Sequence, residues 1–217
     1  MAVMHNWLSI ILPVSPALLA VMAWGQTPPQ PEVGARFNSV KSTFEMEVET
    51  LPKIRGENGY SFASVNAALQ KTKDATLSPI PPQDKPLRGY VERAFPPPVD
   101  EANEVVPKDE AEKRFSLVRE VLAKLSRLDS FRLDLTVNTN PPKARFELMP
   151  RVGTSIASAT NARLTNIYRG EYDYTITKAG YKRIHETINF IDRSGSVLEC
   201  ELQPESSADE ALPCRFR

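Results

Sequence analysis

Histidine is nearly absent from this chain. Only His5 and His185 occur, and His5 falls before the apolar run at residues 8–24. A Ser-His-Asp arrangement downstream of that run has one histidine to use. Cysteine is as scarce, with Cys200 and Cys214 alone. One histidine and two cysteines do not complete a usual four-ligand zinc site without a carboxylate or a partner chain. No Gly-x-Ser-x-Gly, no His-Glu-x-x-His and no glycine-rich phosphate loop is present. The expectation is therefore a chain with no catalytic residues, no metal and no cofactor. Net charge is lacking too: 27 Lys+Arg face 27 Asp+Glu, so nothing global draws the chain to nucleic acid or an anionic membrane. No Asn-x-Ser/Thr sequon occurs.

What is present begins with a targeting signal. Residues 8–24, LSIILPVSPALLAVMAW, carry no charge. Ala23 and Gly25 place small residues at −3 and −1 of a cut before Gln26, the pattern of a secretory signal. Residues 1–25 are expected to be this signal, which directs the protein to a periplasm, a cell surface or the medium. The alternative is an uncleaved membrane anchor of about 17 residues, at the low end for spanning and interrupted by Pro13 and Pro16. No later segment is long and apolar enough to span. In an exported chain Cys200 and Cys214 are expected to pair. Two unpaired thiols are the alternative.

The 19 prolines cluster. Residues 26–34 read as a Pro-rich mobile segment, and residues 35–77 as a small α+β segment. Within it, Phe44-Glu45-Met46-Glu47-Val48-Glu49 alternates as a half-solvated strand. Residues 61–75 follow as a helix with Ser61 as N-cap. Residues 78–107 contain PIPPQDKP and FPPP and read as an extended linker, or as a ligand for an aromatic groove. Residues 108–130 hold an amphipathic helix, with Asp109 and Glu112 resembling a capping box. Its stripe of Phe115, Val118, Val121, Leu122, Leu125 and Leu128 packs on its own domain or forms a homodimer seam through Phe115, Val118, Leu122 and Leu125.

From Phe131 the apolar period changes from helical to alternating. Leu133, Leu135 and Val137 lead, then Phe146 and Leu148, then Tyr172, Tyr174 and Ile176, then Ile184 and Ile188, then Leu198, Cys200 and Leu202. Turn signals stand at Asn140-Pro141-Pro142-Lys143, Ala179-Gly180 and Asp192-Arg193-Ser194-Gly195. Residues 131–203 are expected to form a small antiparallel β-sandwich, with the tail at 204–217 tied by Cys200–Cys214. The fold class is thus mainly β.

This span resembles the PEGA family of β-sandwich modules. Val137-Asn138-Thr139-Asn140-Pro141 is similar to the strand leading into the family's Pro-Glu-Gly-Ala turn, and Ala144 falls at the motif's alanine. Gly153-Thr154, Arg169-Gly170-Glu171-Tyr172 and Lys178-Ala179-Gly180-Tyr181 match its glycine and tyrosine hallmarks. Pro142 and Lys143 replace the motif's Glu and Gly, and Met149-Pro150 replaces an Asp-Gly. Transthyretin-like and carboxypeptidase regulatory-like modules share the pattern. The resemblance covers about a third of the chain, implies an envelope-associated binding or structural module, and carries no catalytic residues.

The expected function is that of an exported, non-enzymatic envelope protein. Its module binds or scaffolds another envelope protein or a surface polymer. The hairpin of Tyr172, Tyr174, Lys178, Tyr181, Lys182 and Arg183 is the expected contact. The alternatives are an assembly subunit using the helix at 109–129, or an enzyme with an acidic site in residues 37–75. Glu45, Glu47 and Glu49 would share one strand face there, as a solvated row or as ligands for a hard cation.

Overall fold

Phe37, Phe44 and Val48 decide the first element. Their spacing of seven and four places them on one helical stripe. The computed structural model describes residues 33–54, 58–99, 104–191, 197–208 and 213–217. In it α1 runs Val33–Thr50, with Gly34, Phe37, Phe44 and Val48 buried. The strand expected over Phe44–Glu49 is thus a helix. The FEMEVE alternation also satisfies i, i+4, and the residue that breaks the strand reading, Met46, is 60% exposed. Val33 and Gly34, expected in a mobile segment, begin α1. The signal at 1–25 and residues 26–32 lie outside the described residues.

Three further helices close a core with α1. Helix α2 is Phe62–Leu77; Ser61 takes its N-cap position in extended geometry but makes no side-chain cap bond. Helix α3 is Lys85–Ala94, with Leu87, Tyr90 and Val91 buried. Helix α4 is Lys108–Leu125. Short strands β1 (Gly59–Ser61) and β2 (Val105–Pro107) pair antiparallel beside it. The linker expected over 78–107 is accordingly corrected: its middle is helix and its end a paired strand. Proline does not prevent this, because Pro86 stands in the first turn of α3, where a missing N–H costs nothing. The capping box expected on α4 is not formed. Pro107 is the N-cap, without a side-chain bond, and Glu112 faces Arg119 at 3.4 Å.

Phe115 anchors this core edge-on to Phe44 and Tyr60, at 5.9 and 6.2 Å between centroids. Phe115, Val118, Leu122 and Leu125 are each 0% exposed. The seam expected through them has no surface to offer, because α1, α2 and α3 already cover it. Around the rim Arg119 Nε donates to both Glu45 carboxylate oxygens, at 3.0 and 3.1 Å, tying α4 to α1.

Strands fill the second half. They are β3 (Arg132–Asn140), β4 (Arg145–Pro150), β5 (Ile156–Ala159), β6 (Ala162–Tyr168), β7 (Glu171–Thr177), β8 (Ile184–Asn189), β9 (Val197–Glu201) and β10 (Arg215–Phe216). One four-stranded sheet has the order β10-β9-β3-β6 and the other β5-β4-β7-β8. Leu135, Val137, Leu198 and Cys200 from the first, and Phe146, Leu148, Tyr172, Tyr174 and Ile176 from the second, belong to one apolar cluster. Two details depart from expectation. The pair β3 and β9 is parallel, so the arrangement is not wholly antiparallel. With four helices and ten strands among the described residues, the fold is mixed rather than mainly β. The turn expected at Asp192–Gly195 lies outside the described residues.

Arg169 and Gly170 join the strands to the helices. Arg169 is 5% exposed. Its Nε donates to Ser130 O at 2.7 Å, its Nη1 to Phe190 O at 3.1 Å, and its Nη2 to Asp129 Oδ1 at 2.6 Å. Gly170 (φ +151°) faces the first turn of α3 so closely that a Cβ would stand 2.7 Å from Pro86 Cβ and 2.9 Å from Pro86 C. Gly180 (φ +77°) has nothing within 4 Å of that position. Both glycines hold a backbone conformation other residues resist, but only Gly170 also has no room. Gly180→Val is therefore expected to cost about 1–2 kcal/mol, and Gly170→Val that amount plus about 1–3 kcal/mol of overpacking. Urea unfolding of the two variants checks the order.

Candidate functional site

The hairpin expected to meet a partner divides between core and surface. Tyr172 and Tyr174 are each 2% exposed. Tyr172 packs edge-on to Phe190 at 5.4 Å and donates its hydroxyl to Tyr168 O at 2.7 Å; Tyr174 donates to Glu186. Burial, with the carboxyl of Asp84 nearby, pushes the Tyr172 phenol well above its usual range. Both rings are thus corrected from contact residues to core. Arg183 is exposed, while Lys178 and Tyr181 are half-buried, around a depression of about 380 Å³ that also holds Glu205. Lys178 Nζ donates to Pro142 O at 2.8 Å, and Lys182 is half-buried. This turn is neither strongly positive nor unoccupied by its own chain.

The roomier depression, about 610 Å³, lies on the outer side of the β10-β9-β3-β6 sheet. Strand alternation sets its lining. Leu198 and Cys200 point into the core, so Glu199 and Glu201 point out. The parallel register places Asn138 beside Glu199 and Asn140 beside Glu201. Strand β10 brings Arg215 opposite Glu199, and Arg217 Nε sits 3.0 Å from Glu199 Oε2. Carboxamides, carboxylates and guanidiniums thus stand in rows across three strands. This set can hold hydrogen-bonding groups of an extended ligand, with no nucleophile among the named side chains.

The disulfide, on the core side of the sheet, ties down the strand that bears one wall of this cleft. Cys200 and Cys214 are bonded at 2.08 Å, with Cα atoms 4.4 Å apart, as expected. Cys214 immediately precedes β10, so the bond pins the two arginines to β9. Strand β10 adds only two residue pairs of its own, too few to hold a strand without help.

The remaining candidates scatter. On helix α1, Glu45 pairs with Arg119, Glu47 with Lys71 at 3.1 Å, and Glu49 is exposed. A cavity of about 110 Å³ holds Glu47 and Lys71, with Glu45 turned away toward α4. No two of these carboxylates share a site, and no metal-binding cluster occurs among the described residues. His185 is exposed, its Nδ1 3.1 Å from Thr175 Oγ1.

Reading the sequence missed Asn138, Asn140, Glu199, Glu201, Arg215 and Arg217 as a group. The signal for each strand was there: polar residues alternate with Leu198, Cys200 and Phe216. What brings them together is the parallel pairing of β3 with β9, across 60 residues, which no local pattern reveals.

Removing the bond tests its place in the cleft. Cys214→Ser should cost about 3 kcal/mol if chain entropy sets its worth. It should also free the amides of Arg215 and Arg217 to exchange while those of β3 stay protected. Hydrogen exchange of the variant, with urea unfolding beside it, reads both.

No family model and no curated protein matches the chain. Among solved structures it is similar to an (S)-allantoin synthase at 12% identity, covering 86% of this chain and 91% of that one, with a TM-score of 0.27. A likeness at that score carries no functional argument.

Proposed function

We propose that this protein is an exported, non-enzymatic component of a cell envelope that binds or scaffolds another envelope component. In this reading the two four-stranded sheets are the leaves of a small β-sandwich, in keeping with the PEGA-like sequence. Its ligand surface is the outer cleft of the β10-β9-β3-β6 sheet rather than the tyrosine hairpin.

One observation carries the reading: a disulfide holds the arginine-bearing wall of the cleft in place. Such bonds persist in oxidising compartments, which supports export together with the signal-like start. The bond packs with the apolar cluster between the sheets and at the same time anchors the arginines of the cleft, and that second consequence supports a recognition role. The chemistry on offer is polar and of both signs, with Glu199 and Glu201 beside Arg215 and Arg217. It suits a hydroxyl-rich surface polymer carrying carboxylates and amines, where hydrogen bonds to charged groups are the stronger kind.

Co-sedimentation with purified cell-wall polymer tests this. The exported protein should bind saturably. Paired substitutions Asn140→Ala and Glu201→Gln, both at exposed positions, should weaken binding about tenfold, equivalent to about 1.4 kcal/mol, with an unchanged unfolding midpoint. Absence of saturable binding, or equal binding by the variant, would contradict the reading.

A further inference from the structure

We propose that Asp84 is a proton-operated latch: protonated, it lets α3 seat against the sheets, and ionised, it loosens that contact. Asp84 is 0% exposed. As N-cap of α3 it accepts from Leu87 N through Oδ1 at 3.2 Å. Its other oxygen, Oδ2, is buried without a hydrogen-bond partner. A carboxylate in that state leaves a charged acceptor unmet, whereas the acid presents a neutral group there.

The charges that could compensate are committed elsewhere. Arg88, on α3 itself, donates through Nη1 to Leu77 O and Ile80 O, at 3.0 and 3.1 Å, closing the end of α2. Arg132, on β3, stacks on the Tyr168 ring at 4.5 Å and donates to its hydroxyl at 2.8 Å. From β7 the facing titratable group is the Tyr172 phenol, neutral across the working range. Lys85, next in the chain, is exposed. Burial therefore outweighs the Leu87 N–H and the two guanidiniums, and lifts the Asp84 carboxyl from 3.8 to about 7.

The position makes this local proton count matter. Two residues on, Pro86 abuts Gly170, so α3 meets the sheets where Asp84 starts it. Because the folded pKa is raised, the stabilisation is full below about pH 4 and is lost progressively as pH rises through about 7. Ionisation gives Arg132 or Arg88 a reason to leave its present acceptors, and either move disturbs this seat.

Hydrogen exchange of the exported protein from pH 5.5 to 8.5, corrected for intrinsic rates, reads the latch. Protection of α3 and of the β6–β7 turn should fall by about tenfold per pH unit between pH 5.5 and the midpoint near 7, then level off above it, where both the seated and the released states are ionised. Protection of the β3–β9 pair should change less. Asp84→Asn should abolish the difference. In parallel, carbon-13 titration of the wild-type carboxyl should give a midpoint near 7, shared by the Leu87 and Gly170 amides; this reading needs no variant to fold. A midpoint below 5, or pH-independent protection of α3, would overturn the proposal, as would an unchanged pH dependence in Asp84→Asn.

Discussion

The chain depends on a buried guanidinium. Arg169 follows β6, in the turn before β7, yet it satisfies carbonyls from two other segments: Ser130, on the way out of the helices, and Phe190, on the way out of the second sheet. Removing it would leave acceptors unmet at roughly 1–3 kcal/mol each. Arginine suits the place because its planar fork reaches three directions and stays charged. The salt bridge to Asp129 adds less than its 2.6 Å suggests, since that carboxylate side chain is 81% exposed. Gly170 follows at once, and its lack of a side chain allows the backbone to lie against Pro86. Two adjacent residues thus set both the bonding and the closeness of the junction. Ile191, just beyond the sheets, extends it by joining the helical core.

This junction also explains how the sequence misled. The motif Arg-Gly-x-Tyr reads as strand punctuation, and in part it is, since Tyr172 alternates into the core. Its arginine and glycine are determined by contacts about 20 to 85 residues away, which no local period carries. The strands themselves were legible, from the alternation in Leu133–Val137 through Leu198–Leu202, because each has one buried face. The α4 stripe was legible for the same reason. Helix α1 was not, because six residues of alternation compete with a longer helical stripe, and the longer stripe buries Phe37 as well. Helix α3 was hidden by prolines that bracket it without entering its interior. Strands β5 and β10 were missed because they are short and half exposed.

Of the site, the cysteine pairing was legible and its consequence was not. Spacing and export suggested a bond tying down a tail. In the fold the same bond fixes Arg215 and Arg217 beside two glutamates. In the proposed reading the partner contact accordingly moves from the Gly–Tyr hairpin, whose tyrosines serve the core, to a face whose residues look ordinary in sequence.

Through Arg169 the helices and sheets form one cooperative body. Native-state hydrogen exchange against urea tests it in the wild type and in Arg169→Met. In the wild type the slowest amides of α4 and β7 should converge on a single opening free energy; in the variant they should separate, with one set opening before the other. Separate isotherms already present in the wild type, or convergence that persists in Arg169→Met, would contradict a coupling through Arg169.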